Sequence, residues 1–225
     1  MSEADSDRVI RFHFDFISPY AYLAWTQIHA LAERHRARVE PVPVLFAALL
    51  DRHGQKGPAE IAAKRAYLIK DVSRTARRLG VVSAPPPAHP FNPLLGLRLS
   101  SLPMPAAIRR ALVDALYWAT WGGGEGITDR ANVAAIATRV GLGADAVALA
   151  DQPEAKERVR QQTEDAIAAG AFGVPTMIVD GELFWGVDSL PSLDRFLAGE
   201  RDVDPELLAR WASLPASAKR PGADR

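Results

Sequence analysis

The sequence predicts a mixed α/β fold in which a βαβ unit and a ββα unit flank a long all-helical stretch, and three observations support that prediction. Phe12, Phe14 and Phe16 alternate with Arg11, His13 and Asp15, the period of two of a strand with one buried face. From residue 46 to about residue 170, almost every periodic segment has helical spacing. Strand-like runs then return at residues 172–179 and 182–185, separated by Asp180-Gly181, a pair that signals a hairpin.

The first strand turns directly into a helix. Ser18 precedes Pro19, a hydroxyl at the N-cap followed by proline at the first helical position, and Tyr20, Leu23, Ile28 and Leu31 recur at helical spacing beyond it. Locally, capping is the simpler reading of Ser18. The same position also lies beside free backbone N–H groups and the positive end of the helix dipole, where an anion is favoured. Residues 38–44 are a short extended segment whose Pro41 and Pro43 suit a sheet edge or a strand end, completing a βαβ unit with a right-handed crossover.

The insertion reads as a succession of helices. Residues 58–79 place Ile61, Leu68, Val72, Ala76 and Leu79 on one stripe, start near a proline and stop at Gly80. The opposite face holds Lys64, Arg65, Lys70, Arg74, Arg77 and Arg78; it reads first as a solvated surface and second as a patch attracting an acidic small molecule. Pro85, Pro86, Pro87, Pro90 and Pro93 stiffen the loop at 81–93, where Asn92 is either an Asx-turn residue or an amide aimed at a ligand. Residues 105–121 turn Ile108, Leu112, Ala115, Leu116 and Ala119 inward. The glycine run after them lacks the Lys-Ser/Thr of a phosphate loop and reads as a helix stop. Thr128-Asp129 can cap a helix that buries Val133, Ile136, Ala137 and Val140; a short helix at 144–150 and a longer one at 153–169, with Ala155, Val159, Ala166 and Ile167 apolar, follow.

After the hairpin, Gly186-Val187-Asp188 leads into a last helix with Asp188 as its cap and Leu190, Leu193, Phe196 and Leu197 inward. A short helix at 205–212 and a disordered end from about Ser213 complete the chain.

Composition excludes several classes of function. At 225 residues, 48% hydrophobic and 24% charged, the chain is an ordinary soluble globular protein. Lys+Arg and Asp+Glu both total 27, so nothing calls for nucleic acid or an anionic membrane. The polar, acidic residues 1–8 read as a frayed tail without an apolar export segment, and no run is long enough to span a membrane; a cytoplasmic protein is the expectation. Cysteine is absent, excluding disulfides, thiolate metal sites and dithiol redox chemistry. His13, His29, His35, His53 and His89 show no paired ligand spacing, so no metal is expected. Trp25, Trp118, Trp121 and Trp185 read as core before ligand platform.

In order, βαβ, helices and ββα make a thioredoxin-like fold with a large inserted helical domain. The expected divisions are a disordered tail at 1–8, a discontinuous thioredoxin-like domain at 9–44 and 171–200, an inserted helical domain at 45–170, and a partly helical extension at 201–225. In that architecture the active position is the first residue of the helix after the first strand, facing the Val-Pro bond before the third strand. Here those are Ser18 and Val174-Pro175.

Phe14-Asp15-Phe16-Ile17-Ser18-Pro19-Tyr20, Ala171-Phe172-Gly173-Val174-Pro175-Thr176 and Phe184-Trp185-Gly186-Val187-Asp188 together resemble the 2-hydroxychromene-2-carboxylate isomerases. These are glutathione-dependent relatives of kappa-class glutathione transferases within the DsbA-like thioredoxin folds. The resemblance, over roughly residues 9–199, implies that Ser18 is the catalytic serine contacting the glutathione sulfur. It implies that Val174, before a cis Pro175, pairs its backbone with the tripeptide, and that Val187 and Asp188 recognise the γ-glutamyl end. Phe91, Asn92 and Trp185 are implied to border the aromatic acid substrate, and a homodimer is expected. The implied reaction is reversible thiolate addition to a chromene carboxylate or aromatic pyruvate, with glutathione as a cofactor that is not consumed. The alternatives are a kappa-like transferase acting on another electrophile and a non-catalytic thioredoxin-fold binding protein. Similar naphthalene-pathway enzymes carry a lysine after the second strand, an Asn-Arg pair after the Gly-Pro of the insertion, and a tyrosine in the proline-rich loop. At those places this chain has the segment 46–51, Gly57-Pro58-Ala59-Glu60-Ile61 and Phe91, so the substrate-contacting groups are not reproduced.

Overall fold

A computed structural model describes residues 8–200 and 203–215. Residues 1–7 of the expected tail at 1–8, and residues 201, 202 and 216–225 of the expected extension, lie outside the described residues. Arg8 is not frayed, since it pairs with Asp180 at 3.2 Å and donates to the Leu197 carbonyl. Four strands form one sheet in the order β2-β1-β3-β4: β1 (Val9–Phe14), β2 (Arg38–Pro43), β3 (Thr176–Val179) and β4 (Glu182–Trp185). The strand β1 is parallel to β2, pairing Phe12 with Pro41 and Phe14 with Pro43, and antiparallel to β3, pairing Phe12 with Met177. The two prolines of β2 thus lie on an edge strand, where the missing N–H donors cost no ladder bond on the far side. Asp180 and Gly181 both take positive φ, 51° and 82°, closing the β3–β4 hairpin.

Ile10, Phe12 and Phe14 point to one face of β1 and are fully buried, packed with Trp25, Tyr117 and Phe16 in an aromatic cluster. Helix α1 (Pro19–Arg34) lies against this face. So do α3 (Ala62–Leu79) and α5 (Ala106–Trp121), through Val72, Ala76, Leu112, Leu116 and Tyr117. On the other face His13 and Thr176 are buried, while Arg11, Arg38 and Glu40 are exposed.

Between β2 and β3 the chain runs through α2 (Phe46–Arg52), α3, α4 (Leu94–Ser101), α5, α6 (Arg130–Arg139), α7 (Ala146–Leu149) and α8 (Pro153–Ala168). The expected helix over 58–79 is two pieces. Pro58–Glu60 is a 3-10 turn in which Gly57 N–H donates to the Glu60 carboxylate at 2.6 Å, and Ile61 is extended before α3 begins. Leu68 and Leu79 are only half-buried, so the buried stripe of α3 is Val72, Thr75 and Ala76. Asp129 caps α6 through Ala131 N–H, as its sequence position suggests.

After β4, Val187–Ser189 form a 3-10 turn and α9 (Leu190–Leu197) follows. Asp188 therefore does not cap the last helix; it sits inside the preceding turn, with its side chain exposed. Similarly, the pairing of the expected strand at 172–179 begins only at Thr176, because Pro175 has no N–H to give a ladder. Helix α10 (Pro205–Ala212) buries no side chain. No helix among the described residues is long and apolar enough to cross a membrane.

Candidate active site

The site begins where β1 ends. Asp15, Phe16, Ile17 and Ser18 turn the chain into α1, and Ser18 N–H donates to the Asp15 carbonyl at 3.1 Å. The Ser18 Oγ accepts from Ala21 N–H at 3.2 Å, the expected cap, and donates to the Val174 carbonyl at 3.4 Å. The second contact is long, so the hydroxyl proton is only weakly engaged. Pro19 has no N–H, and the Tyr20 N–H meets no acceptor among the described residues. The start of α1 therefore offers a hydroxyl, a free N–H and the positive end of a helix dipole at one point.

Across from it, the Val174–Pro175 bond is cis, and the Val174 N–H has no acceptor among the described residues. The Pro175 carbonyl accepts from Gly186 N–H at 3.0 Å, which brings the exit of the hairpin beside the proline. Gly186 lies at φ 87°, ψ 161°, and a side chain there would strike the Asp188 carboxylate. Glycine thus lets Asp188 fold back over its own turn. The structure brings Ser18, Val174, Pro175, Val187 and Asp188 together around the start of α1.

Two further side chains join this rim. Tyr20 donates its hydroxyl to Asp71 of α3 at 2.7 Å; burial, then the Asp71 carboxylate, and more weakly Tyr67 and Asp188, raise its phenol pKa. Trp185 is 51% exposed and rests on Phe172 with ring centroids 5.0 Å apart. A Cβ on Gly173 would come within 2.6 Å of the indole Nε1, so the indole lies where only a glycine backbone allows. Trp185 is then a half-exposed ring over Phe172 and Gly173 rather than core, and Trp118, 53% exposed, is not core either.

The proline-rich loop approaches through a residue that the sequence reading did not single out. His89 Nε2 lies 3.1 Å from the Ile17 carbonyl, so that nitrogen carries the proton, and its ring meets Trp121 at 5.4 Å. Trp121 in turn donates from Nε1 to the Phe16 carbonyl at 2.8 Å. Phe91 is half-buried. Asn92 is exposed and its Oδ1 accepts from Leu94 N–H at 3.0 Å, the Asx-turn role, at the entry to α4. A histidine inside the stiffest loop of the chain was the available signal for His89; nothing in the pattern marked Trp121.

Asp15 is buried directly beneath the turn. Its Oδ1 accepts from Ile17 N–H at 3.1 Å and its Oδ2 from Phe46 N–H, the start of α2, at 3.0 Å. Burial raises its carboxyl pKa to about 7 against the lowering effect of those two donors.

Elsewhere, Lys70, Ser73, Arg74, Arg77 and Arg78 line an open cavity of about 440 Å³ along α3 that includes none of Ser18, Val174, Pro175 and Asp188. Among the described residues no group of His, Asp and Glu could hold a metal ion.

These features suit an extended peptide-like ligand. The free Val174 N–H and its carbonyl can pair with a ligand backbone by strand addition, Ser18 and the Tyr20 N–H can hold an anionic atom, and Asp188 can meet an ammonium. A family model described as a DSBA-like thioredoxin domain matches residues 9–198. A 2-hydroxychromene-2-carboxylate isomerase of Sphingobium xenophagum is 31% identical, over 84% of this chain and 98% of its own. Glutathione S-transferase kappa 1 of Rattus norvegicus is 26% identical, over 90% and 97%. A solved 2-hydroxychromene-2-carboxylate isomerase superposes with a TM-score of 0.77 at 25% identity, over 92% of this chain and all of that one.

Proposed function

Because the chain belongs to the 2-hydroxychromene-2-carboxylate isomerase family of DsbA-like thioredoxin folds, we propose that it is a glutathione-dependent isomerase of aromatic acids, with Ser18 at the sulfur. The observation behind this reading is the Ser18 hydroxyl at the start of α1, 3.4 Å from the carbonyl of a cis Val174–Pro175 pair, in a chain without cysteine. A dithiol enzyme of this fold would supply its own sulfur; here the sulfur has to come with a ligand.

The residues present fit glutathione. Val174 has an unpaired N–H for an extended tripeptide, and Asp188 is an exposed carboxylate for its amino group. When bound, glutathione supplies a thiolate that adds reversibly to a conjugated double bond and leaves again after rotation. The chain's task is to keep that sulfur ionised. A free thiol ionises near ~8.5, and lowering this by two units takes about 2.7 kcal/mol. A hydrogen bond to a charged group contributes roughly 1.5–3 kcal/mol and a helix N-terminus about 0.3–1 kcal/mol. Ser18 donating at the start of α1 is therefore sufficient without a histidine base. Residues 45–170 act in this reading as the inserted unit whose proline-rich loop and α3 close the substrate side, with Phe91, Asn92 and Trp185 around the aromatic acid.

A second reading, glutathione transfer to another electrophile, is favoured by one feature. The Gly57–Glu60 segment is closed on itself by the Glu60 carboxylate, and it contains neither the amide nor the guanidinium that would hold the chromene carboxylate. Absorbance changes of a 2-hydroxychromene-2-carboxylate solution equilibrating with its ring-opened aromatic pyruvate separate the two. The isomerase reading expects acceleration by the protein that requires glutathione. No acceleration, with conjugation of glutathione to a model electrophile, would replace it with the transferase.

A further inference from the structure

The turn that presents Ser18 is tied on every side. Trp121 and His89 hold the carbonyls of Phe16 and Ile17. On the amide side Asp15 acts twice: its main-chain carbonyl takes Ser18 N–H, and its two carboxylate oxygens each take one N–H, from Ile17 within the turn and from Phe46 at the start of α2. Leu45, the residue at the N-cap of α2, offers no side-chain cap, so Asp15 supplies it from another part of the chain.

We propose that Asp15 is a positioning residue for the Ser18 site: its carboxylate, by holding Ile17 N–H and Phe46 N–H together, fixes the turn from which Ser18 reaches the reacting sulfur. The proposal rests on the glutathione reading for the identity of that sulfur. Both neighbours are donors, so the group has to be an acceptor at both oxygens. In a neutral acid one oxygen carries the proton and accepts only weakly, and in asparagine an NH2 replaces one oxygen, so neither offers a full acceptor at both of the oxygen positions that Ile17 N–H and Phe46 N–H use. Protonation therefore frees one end of the turn.

The surroundings make that protonation accessible near neutrality. Burial raises the carboxyl to about 7, and among the described residues no cationic side chain acts on it. Helix α5 brings the Tyr117 hydroxyl towards it, fully buried and without a hydrogen-bond partner, while β1 and α2 contribute only backbone N–H groups. The phenol of Tyr117 is pushed far up, by burial first and by Asp15 second, so Asp15 is the member of the pair that titrates.

The test uses the 15N-labelled full chain and an Asp15→Asn variant. In the wild type the amide resonances of Ile17 and Phe46 are expected to shift together between pH 5 and 9 with one midpoint; in the variant Phe46 does not move, and Ile17 keeps only the shift that the His89 ring on its carbonyl contributes. With glutathione added, the variant is expected to bind it within about threefold of wild-type affinity, while the bound thiol moves at least half of the way back to its free pKa of ~8.5. Amides that ignore pH, or a variant with an unchanged bound-thiol pKa, overturn the proposal. If the variant fails to fold, the wild-type amide titration still decides. Titrating amides in a protein that binds no glutathione would support the device and sink only the glutathione reading.

Discussion

Replacing Asp15 by asparagine should change how stability depends on pH, and the size follows from burial. The folded carboxyl titrates at about 7 against an ordinary 3.8, so between these values the native chain holds a proton that the unfolded chain has released. Stability contributed by this group is then greatest in acid and falls as pH rises through the window, levelling off above 7. At about 1.4 kcal/mol per unit, the loss is roughly 2.5 kcal/mol between pH 5 and 8. His29 has the opposite slope. Burial, then Arg110, lowers its pKa from 6.5 to about 4, so it penalises the fold at low pH and ceases to do so above 6.5. The wild-type curve alone sums these opposed slopes, and the informative quantity is the wild type minus the Asp15→Asn variant. Urea unfolding followed by circular dichroism at pH 5, 6, 7 and 8 should show that difference falling by about 2.5 kcal/mol as pH rises. Parallel curves across the range would refute the reasoning, because they would mean that Asp15 titrates alike in both states.

Gly186→Ala forces a side chain onto φ 87°, ψ 161°, a region that costs about 1–3 kcal/mol for a non-glycine residue, and drives its Cβ into Asp188. Gly181→Ala is the control, with a comparable φ of 82° and no neighbour within 4 Å. Both should lower the melting temperature, but only Gly186→Ala should also weaken glutathione binding by calorimetry; equal losses of affinity would detach Asp188 from the ligand. Trp185→Ala should cost roughly 0.5–1.5 kcal/mol for the lost contact with Phe172, and should raise KM for an aromatic acid more than it lowers stability. Asp194→Asn breaks contacts at 2.7 Å to His35 and 3.0 Å to Arg34 between α1 and α9. Arg34 is exposed while the His35 side chain is largely buried, so ~1 M salt should remove only the Arg34 part of the loss in melting temperature.

Much of this was legible in the chain because the informative residues act locally. Ser18-Pro19 names a helix start from two adjacent residues, Asp180-Gly181 a hairpin from two more, and the Phe12, Phe14, Phe16 alternation a buried face; each signal is complete within one turn of structure. The parts that were not legible depend on distant partners. Asp15 reads as a polar position of a strand, and its task appears only when Phe46 is folded beside it. His89 and Trp121 are 72 and 105 residues from the carbonyls they hold. Helices α2 and α4 are too short, at seven and eight residues, to impose a period on the sequence. The last helix has Ser189 and not Asp188 at its N-cap, one residue later than the sequence suggests, because a 3-10 turn over Val187–Ser189 comes first. The proposed substrate wall was harder still, since Trp185 is positioned by what Gly173 lacks.

The central claim is that Ser18 holds a thiolate delivered by glutathione, and the most direct measurement is a pH titration of the thiolate's ultraviolet absorbance with wild-type protein and with Ser18→Ala. The account predicts a bound-thiol pKa about two units below the free value of ~8.5 in the wild type, and loss of at least one of those units in the variant, matching the hydrogen bond removed. A wild-type complex whose thiol titrates like free glutathione, or a lowered value that survives Ser18→Ala, would contradict it.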